Sequence, residues 1–502
     1  MQGTLLLGID IGTSGCKIAL FSEHGQLTCE NTVAYPVYYP NPGYVEQNPE
    51  DWWEAVCRGT RALIETHHIN PADILGIGVD GQGWAAVAVD SDGEVLTRNP
   101  IWMDTRSSAI CEELNNTIGQ KEIFDLAGNS LKPQYTTGKI RWYEQHMPDM
   151  YAKTDKILQS NSYIVYKMTD AMTQDYSQAY AVHCFDMKRG CWDSGMANAL
   201  GINLELLPEL AACHEIVGTV SAKAAESMGL IPGIPVVAGG LDAACGTLGA
   251  GVIHPGETQE QGGQAGGMSI CTETYTAHPD LILGYHVVPG MWLLQGGTTG
   301  GGGVVRWFDE QFGFEEHQKA EATGTSALKL LDDSIAQIAP GSEGLTFLPY
   351  MAGERSPIWN DKAKGVFYGL DFSKTKAHMG RAALEGVAYA LRHNIETAEA
   401  AGARVQTLKA TGGAANSRVW TQMKADITGK PIEVAGSGME TTLGAAILAG
   451  VGVGIYKDFE DAVKKTIRVK KTYSPNESNR TVYDEGYQRY RTLYETLKPM
   501  MR

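Results

Sequence analysis

Two aspartates follow apolar runs at widely separated positions in the chain. Residues 5–9 precede Asp10, and residues 235–241 precede Asp242. Each run suits a buried strand, and the small residues beside each aspartate allow a backbone turn to approach a ligand closely. Two carboxylates presented in this way can hold a metal–nucleotide and activate a hydroxyl group. The pair therefore predicts phosphoryl transfer.

The turn after Asp10 has the composition of a phosphate-binding turn. Gly12, Thr13 and Ser14 offer N–H groups and hydroxyls to phosphate, Lys17 adds a positive charge, and Asp10 would reach a hydrated magnesium ion. An ordinary hairpin with a capping aspartate is the alternative. The turn lacks the spacing of a P-loop, and it is not the Gly-x-Gly-x-x-Gly turn that opens a helix in dinucleotide-binding domains.

Asp242 has two compatible interpretations. An acid at the end of a buried strand, beside a metal-bound phosphate, could be the general base for a substrate hydroxyl. It could also cap a helix that starts at Ala243.

Three glycine-rich segments lie further along the chain, at residues 262–268, 296–303 and 411–417. In the last of these, Gly412 and Gly413 would let a purine or ribose approach the backbone, and Asn416 offers an amide. A common glycine turn before a helix is the alternative.

Two loops after strands of the first half carry groups suited to a polyol. Gln82 and Asp104 offer hydrogen-bonding atoms, and Trp84 offers an aromatic wall. The alternative is a surface salt bridge beside a packed tryptophan, which fits Arg106 better than Asp104.

The elements that must position these residues are typical of an α/β protein. Asn48 is predicted to cap a helix, and Tyr483, Tyr487, Tyr490 and Tyr494 have the spacing of a helical docking face. The predicted strands are 4–10, 16–22, 26–34, 74–79 and 85–89, a hairpin is predicted at 173–186, and helices are predicted at 315–338, 374–401 and 416–428.

The overall composition limits the class of protein. A chain of 502 residues predicts two large domains, and a net charge of -17 argues against a general nucleic-acid binder. No apolar run approaches 18 residues, so no membrane segment is expected. Nine cysteines without a CxxC pair suggest reduced thiols and a cytoplasmic protein. A homodimer is left open as the assembly.

Several motifs resemble those of the FGGY carbohydrate kinases, within the sugar kinase/actin/Hsp70 superfamily. Residues 365–370 followed by 378–385 match the second family signature, and residues 139–145 match the first, with Tyr143 at a position that is usually aliphatic or Phe. Residues 353–357 and 440–446 look most like the xylulokinase branch. The resemblance covers essentially the whole chain.

The resemblance implies two ribonuclease-H-like α/β domains with ATP in the cleft between them. It implies a sugar-binding domain at 1–249, a nucleotide-binding domain at 250–460 and a strand and helix at 461–502 that pack back on the body. By this resemblance, Asp242 would be the catalytic base, and Asp10 would order Mg²⁺ through water. The residues implied for ATP are Gly12, Thr13, Ser14, Lys17, Gly263, Gln264, Gly302, Gly412, Gly413 and Asn416, and those implied for the sugar are Gln82, Trp84, Asp104 and Asp242.

Two segments depart from the family pattern. Gln264 stands in a loop where a Gly-Thr-Ser or Gly-Thr-Gly sequence is usual, and Trp84 follows Gly83 where xylulokinases carry Met-His-Gly after the glutamine. The predicted reaction is ATP-dependent phosphorylation of a terminal hydroxyl of a ketopentose or related sugar. The alternatives are a polyol or sugar-acid kinase of the same fold, a non-catalytic actin/Hsp70-like ATP-binding module, and a sugar sensor with damaged catalysis.

Overall fold

A computed structural model describes residues 3–436 and 438–501, and these form two compact units. The first unit comprises the described residues of Met1–Ile253, Leu283–Leu293 and Met439–Ile467. The second comprises those of His254–Ile282, Leu294–Gly438 and Arg468–Arg502. The chain therefore enters each unit more than once, and the segment from Met439 to Ile467 belongs to the first unit although it lies late in the sequence.

The strands are short outside the two main sheets. In chain order they are β1 (Leu5–Ile11), β2 (Gly15–Ser22), β3 (Leu27–Ala34), β4 (Glu46–Gln47), β5 (Ile74–Gly81), β6 (Val87–Val89), β7 (Asn99–Pro100), β8 (Lys156–Leu158), β9 (Thr173–Asp175), β10 (Phe185–Asp186), β11 (Cys191–Trp192), β12 (Glu209–Ala211), β13 (Ile216–Thr219), β14 (Pro235–Val237), β15 (Gly240–Leu241), β16 (Glu257–Gly262), β17 (Gly266–Thr272), β18 (Ile282–Tyr285), β19 (Trp292–Thr298), β20 (Thr346–Leu348), β21 (Val366–Tyr368), β22 (Thr407–Thr411), β23 (Ile432–Val434) and β24 (Lys471–Tyr473).

The α-helices vary from one turn to seven. In chain order they are α1 (Pro49–Thr66), α2 (Ser108–Leu114), α3 (Gln120–Ala127), α4 (Thr136–His146), α5 (Pro148–Tyr151), α6 (Ser160–Thr169), α7 (Tyr176–Ala179), α8 (Ser194–Leu200), α9 (Ala222–Met228), α10 (Asp242–Gly249), α11 (Gly302–Phe312), α12 (Phe314–Thr323), α13 (Ala327–Ile335), α14 (Lys376–Ala400), α15 (Arg418–Thr428), α16 (Glu440–Gly452), α17 (Phe459–Thr466) and α18 (Arg480–Leu497).

The main sheet of the first unit is built around β1. Strands β1, β2 and β3 form an antiparallel meander, as their apolar patterns predict, and β5 joins β1 in parallel on the other side. The order across the sheet is β13-β14-β5-β1-β2-β3, and β15 also pairs with β5. Because β1, β5 and β15 run in parallel, their carboxyl ends meet at one edge of the sheet.

Helix α16 packs directly on β1 and β5, and two glycines allow that approach. A Cβ atom at Gly8 would lie 2.1 Å from the carbonyl oxygen of Thr442, and one at Gly78 would lie 1.9 Å from that of Ala445. Any side chain at either position would overlap the helix backbone. These glycines therefore fix how closely α16 lies against the sheet.

The second unit contains a sheet with the strand order β19-β17-β16-β22-β23-β24. The tyrosine stripe of α18 packs into the core of this unit with side chains such as Phe347, Tyr350 and Tyr389. The hydroxyls of Tyr350 and Tyr490 are 2.6 Å apart, so buried phenols satisfy each other. The prediction that this stripe is a docking face is confirmed, and its members are Tyr483, Tyr487, Tyr490 and Tyr494.

Two predicted elements differ from the structure. The hairpin predicted at 173–186 is wrong: β9 pairs with β12 in parallel, and the carboxylate of Asp175 caps helix α7 instead of continuing a strand. The single helix predicted at 315–338 is two helices, because Gly324 ends α12 in the left-handed conformation with φ +69°. The predicted cap of α1 is confirmed, since the Asn48 side chain accepts a hydrogen bond from the Glu50 N–H.

Over the residues that the structure describes, no helix is long and apolar enough to cross a membrane. All nine cysteines are free thiols, and only Cys57 and Cys191 are partly exposed.

Candidate active site

Three aspartates lie at the carboxyl ends of three neighbouring strands in the first unit. Asp10 and Asp80 are direct register partners on β1 and β5. Gly240 of β15 pairs with Asp80, and Asp242 follows two residues later at the first position of α10. Paired residues of parallel strands point to the same face, so the carboxyl groups of Asp10 and Asp80 are neighbours.

Mutual repulsion and burial favour the neutral forms of these acids. Burial raises the pKa of Asp10, which the charge of Lys17 partly offsets. Burial and the charges of Asp10 and Asp242 raise the pKa of Asp80 well above its ordinary value. Burial and the charge of Asp10 raise the pKa of Asp242 to about 7, although the Ala243 N–H donates to its carboxylate at 2.6 Å. A bound cation or an added proton would therefore stabilise this cluster of carboxyl groups.

Asp80 provides the clearest sign that a cation fits here. Its side chain is 0% exposed, and among the described residues its carboxylate oxygens accept no hydrogen bond from an N–H or hydroxyl group and face the carboxyl group of Asp10. Those residues contain no set of three His, Cys, Asp or Glu side chains arranged to hold a metal ion by themselves. Magnesium usually keeps several waters and takes only one or two protein carboxylates together with substrate phosphates. Asp10 and Asp80 fit that donor set.

The turn after β1 is tied to the loops that follow β5 and β7. The Thr13 hydroxyl donates to the Gln82 side-chain oxygen at 3.4 Å and accepts from the Trp102 indole N–H at 3.0 Å. The carbonyl of Gly12 accepts a hydrogen bond from the Tyr35 hydroxyl. Ser14 and Lys17 are exposed. A turn therefore does follow β1, with the Thr13 hydroxyl held by two side chains and Ser14 exposed, while Lys17 lies in β2 as the register partner of Asp10. Its contact with phosphate stays a prediction.

Gln82 lies at the centre of a buried amide network. Its side-chain NH₂ donates to the side-chain oxygen of Gln47 at 2.6 Å, and the Trp52 indole N–H donates to the same oxygen. The NH₂ of Gln47 in turn donates to the Thr13 carbonyl at 2.7 Å. Gln82 is 1% exposed, so its amide orients the phosphate turn. A direct contact between Gln82 and a sugar stays a prediction.

Asp104 is also enclosed by protein donors. Its carboxylate accepts from the Val45 N–H at 2.7 Å and from the Arg106 guanidinium at 2.8–3.0 Å. The Arg106 side chain is only 3% exposed and lies over the ring of Tyr44. The salt bridge that was considered from the sequence exists, but it is buried rather than on the surface. A sugar contact by Asp104 stays a prediction.

Trp84 forms an aromatic wall held in an unusual backbone conformation. Its φ is +65°, and its ring lies 4.4 Å from that of Tyr135 and 6.5 Å from that of Tyr180. Its carbonyl accepts from the Lys139 ammonium at 2.6 Å, and its N–H donates to Gln178 at 3.3 Å. Burial lowers the pKa of Lys139 to about 7. Hydrogen bonds to both its N–H and its carbonyl hold Trp84 in this conformation. Strained residues of this kind cluster at binding and active sites.

The glycine loops of the second unit lie against one another. The N–H of Gly302 donates to the Gly263 carbonyl at 2.7 Å, and the N–H of Gly303 donates to the Gln264 carbonyl at 2.9 Å. A Cβ at Gly412 would lie 2.8 Å from the Gly262 carbonyl oxygen. The structure thus brings Gly263, Gly302 and Gly412 of the second unit close together, with Gly302 at the first position of α11.

Two predicted nucleotide residues line open space beside these loops. A Cβ at Gly413 would meet no atom within 4 Å, and Asn416, at the end of the 3₁₀ turn Gly413–Asn416, is exposed. Gln264 is exposed as well. Room for a flat ring therefore exists above Gly413.

Sequence reasoning missed Asp80 as a member of the site. The signal was present, because Gly8-Ile9-Asp10, Gly78-Val79-Asp80 and Gly240-Leu241-Asp242 share the pattern Gly-x-Asp. In the first two the glycine admits α16 and the aspartate ends the strand. Gln47, the anchor of the amide network, follows no comparable pattern.

Comparison with known proteins gives one consistent family. Residues 5–249 match the N-terminal domain of the FGGY family of carbohydrate kinases, and residues 267–453 match its C-terminal domain. A xylulose kinase of Staphylococcus epidermidis is 31% identical over 502 residues, covering 100% of this chain and 98% of the relative. A gluconokinase of Bacillus subtilis is 32% identical over 480 residues, or 95% of this chain and 93% of the relative.

Solved structures agree with this result. The crystal structure of xylulose kinase from Rhodospirillum rubrum matches with a TM-score of 0.89 and 28% identity, covering 99% of both chains. A glycerol kinase from Plasmodium falciparum, solved with ADP, matches in fold with a TM-score of 0.85 at 21% identity.

Proposed function

The chain belongs to the FGGY family of carbohydrate kinases, and we propose that it transfers the terminal phosphoryl group of ATP to a terminal hydroxyl of a ketopentose or related sugar. Family membership supports the class of reaction, a phosphoryl transfer from ATP to a carbohydrate. The xylulose kinases among its relatives support the choice of sugar.

The observation that carries the proposal is the position and acidity of Asp242. It follows β15 directly, at the first position of α10 and near Asp10 and Asp80, and its pKa of about 7 suits a general base that accepts a proton near neutral pH. In the proposed step, a carboxylate oxygen of Asp242 takes the hydroxyl proton while the hydroxyl oxygen forms a bond to the γ-phosphorus. The bond from that phosphorus to the bridging oxygen of ADP breaks.

Asp10 and Asp80 would hold magnesium, partly through water. When bound, the ion neutralises the negative charge of the phosphates during transfer. The carboxylate oxygens of Asp80, which have no protein donor, are the feature of this chain that supports the assignment. Both acids would be ionised in that state because the cation favours the charged form.

The two units would share the remaining work. We propose that Gly12, Thr13, Ser14 and Lys17 line the phosphates. In the second unit, Gly263, Gln264, Gly302, Gly412, Gly413 and Asn416 would bind the nucleotide. Contacts between the glycine loops and the open space above Gly413 support this role.

Charge favours a neutral sugar over a sugar acid. Two cations are buried near the proposed sugar side, and both already bond protein groups: Arg106 pairs with Asp104, and Lys139 donates to the carbonyls of Trp84 and Ile101. Three carboxylates nearby would repel a sugar carboxylate. The gluconokinase relatives nevertheless define the alternative within this fold.

The proposal also includes the cellular location of the protein and its assembly. Nine free cysteines suit the reducing cytoplasm, and a homodimer is the assembly that light scattering in solution would test.

A panel of acceptors tests the function. ADP release should be stimulated by D-xylulose or a related ketopentose more than by xylitol, ribitol or gluconate. Stimulation by gluconate alone would establish the sugar-acid alternative. ATP binding without stimulation by any acceptor would indicate an ATP-dependent interaction module instead.

A further inference from the structure

Another buried aspartate of the first unit, Asp175, lies outside the proposed metal and sugar sites, and its hydrogen bonds lead to the segments that carry Trp84 and Asp242. Asp175 caps α7 and is 0% exposed. Its carboxylate accepts from the Ser177 hydroxyl at 2.5 Å, from the Gln178 N–H at 3.0 Å and from the Asn161 NH₂ at 3.0 Å.

One arm of this network leads to the aromatic wall. The NH₂ group of Gln178 donates to the side-chain oxygen of Asn161 at 2.8 Å, so Asp175 fixes Gln178 through Asn161 as well as through its backbone. The remaining side-chain oxygen of Gln178 accepts the Trp84 N–H at 3.3 Å. That bond holds one side of the strained peptide that presents the Trp84 ring.

The other arm leads to the proposed base. The Ser177 hydroxyl, which donates to Asp175, accepts the Leu241 N–H at 2.8 Å. Leu241 immediately precedes Asp242, and Asn161 also donates to the carbonyl of Ala238, near the start of the same turn. The three side chains that link Asp175 to these segments are buried, because Asn161, Ser177 and Gln178 are each 0% exposed.

We propose that Asp175 is a positioning residue that sets where the Trp84 wall stands relative to the Asp242 carboxylate. The inference rests on the proposed function. A single rigid carboxylate with three donors fixes two segments that lie far apart in sequence, and a buried network in which every donor is satisfied holds its geometry closely. A sugar stacked on Trp84 would then present its hydroxyl at a fixed distance from Asp242.

The direct test replaces Asp175 by asparagine. In Asp175→Asn an NH₂ group stands where an oxygen accepted a bond, so it faces either Asn161 or Ser177, both of which are donors. We expect kcat/KM for the sugar to fall roughly 10- to 100-fold, as small misplacements of reacting groups do, with ADP affinity unchanged.

The two arms are separable by kinetics. Ser177→Ala releases the Leu241 side and should lower mainly kcat, whereas Gln178→Ala releases the Trp84 side and should raise mainly the KM for the sugar. Both variants remove uncharged groups, so they carry the test if Asp175→Asn does not fold. Asp186→Asn is the matched control, since the Asp186 carboxylate likewise accepts two backbone N–H groups, from Lys188 and Arg189.

The outcomes distinguish this inference from the proposed function. A wild-type protein that phosphorylates no acceptor would overturn the function. With an active wild type, the positioning role would be overturned if Asp175→Asn kept at least half of the wild-type kcat/KM, or if Asp186→Asn lost as much activity as Asp175→Asn.

Discussion

The proposed role of Asp242 and its surroundings place opposite demands on the protonation state of its side chain. It must be ionised to accept a proton, yet its burial beside Asp10 and Asp80 favours the neutral form. An acid whose pKa is raised to about 7 by burial and by the charge of Asp10 is a stronger base than an ordinary aspartate. In the proposed reaction, the free energy that burial of Asp242 costs would raise its basicity towards the sugar hydroxyl.

This acidity predicts a pH profile. kcat/KM for the sugar should rise with pH and level off above about 7, because only the ionised Asp242 accepts the hydroxyl proton. Initial rates from pH 5.5 to 8.5 would measure it. A profile that is flat from pH 5.5 upward would contradict the assigned base.

The same shift predicts a stability difference. The folded state binds the Asp242 proton more tightly than the unfolded chain, so wild-type stability falls as pH rises from about 4 to about 7. Asp242→Asn lacks this titration, so its Tm advantage over wild type should grow across that interval and then stay constant. The reverse trend in thermal scans would show that the Asp242 carboxylate is not destabilised by burial.

Asp80 predicts a metal-binding phenotype. Asp80→Asn removes one of the two carboxylates proposed for the ion and should weaken Mn²⁺ binding in the presence of ADP by roughly 10- to 100-fold. Electron paramagnetic resonance of free Mn²⁺ reports the affinity without turnover, and Asp186→Asn serves as the control. Equal affinities for all three proteins would remove Asp80 from the metal site.

At the scale of elements, the close packing of α16 against β1 and β5 positions the ends of these strands, where Asp10 and Asp80 lie. Gly8 and Gly78 make that possible, and each is followed two residues later by a site aspartate. The same local pattern therefore sets both the packing of the helix and the position of the acid. A substitution that shifts α16 should therefore also shift the carboxyl ends of β1 and β5.

A graded pair of glycine substitutions tests this packing. In Gly78→Ala the new Cβ would meet the Ala445 carbonyl at 1.9 Å, whereas in Gly76→Ala it would meet a Val453 methyl group at 3.0 Å, which can move. We expect Gly78→Ala to destabilise by about 3 kcal/mol or more, at the upper end for overpacked cores, and Gly76→Ala by far less. Urea unfolding midpoints would show the order, and equal midpoints would contradict it.

Elements with strong local signals were predictable, and elements decided by distant partners were not. The meander β1–β3 and the Asn48 cap follow from alternation and a capping residue next to a proline. The hairpin predicted at 173–186 does not form, because the Asp175 carboxylate accepts hydrogen bonds from Asn161 and Ser177 that the alternation of residues did not predict.

The same distinction applies to the site. Asp10 and Asp242 are recognisable because an acid follows an apolar strand and precedes small residues. The enclosure of Gln82 by Gln47 and Thr13 depends on three separate segments meeting, so these hydrogen bonds could not be predicted from the sequence, and the contact of Gln82 with a sugar stays a prediction. The sequence therefore indicates which residue types could form the site, whereas their hydrogen-bond partners are known only from the folded structure.

At the scale of the whole molecule, the proposed tasks divide between the units. Sugar-side residues such as Trp84 and Asp242 belong to the first unit, and the glycine loops 263–266, 301–303 and 412–413 belong to the second. Each unit has its own sheet and its own core. Substitutions at the proposed sugar side of the first unit should therefore alter the affinity for the sugar, and substitutions in the glycine loops of the second unit the affinity for the nucleotide.

A pair of variants tests the division. Trp84→Ala should raise the KM for the sugar about tenfold, the loss of roughly one stacking contact, and leave ADP affinity unchanged. Gly413→Val enters open space, so it should fold normally while weakening ADP binding. In the double variant the two free-energy effects should add to within about 0.5 kcal/mol. Calorimetric titration of ADP and sugar kinetics would measure both, and crossed effects would contradict the division.

The central claim is that Asp242 takes the proton of a sugar hydroxyl during phosphoryl transfer, and turnover by Asp242→Asn tests it most directly. General-base catalysis contributes roughly 10²- to 10⁴-fold, so kcat with the best ketose acceptor should fall by that factor while ADP still binds with wild-type affinity. A folded Asp242→Asn protein that phosphorylates the same acceptor at a rate near that of wild type would contradict the account.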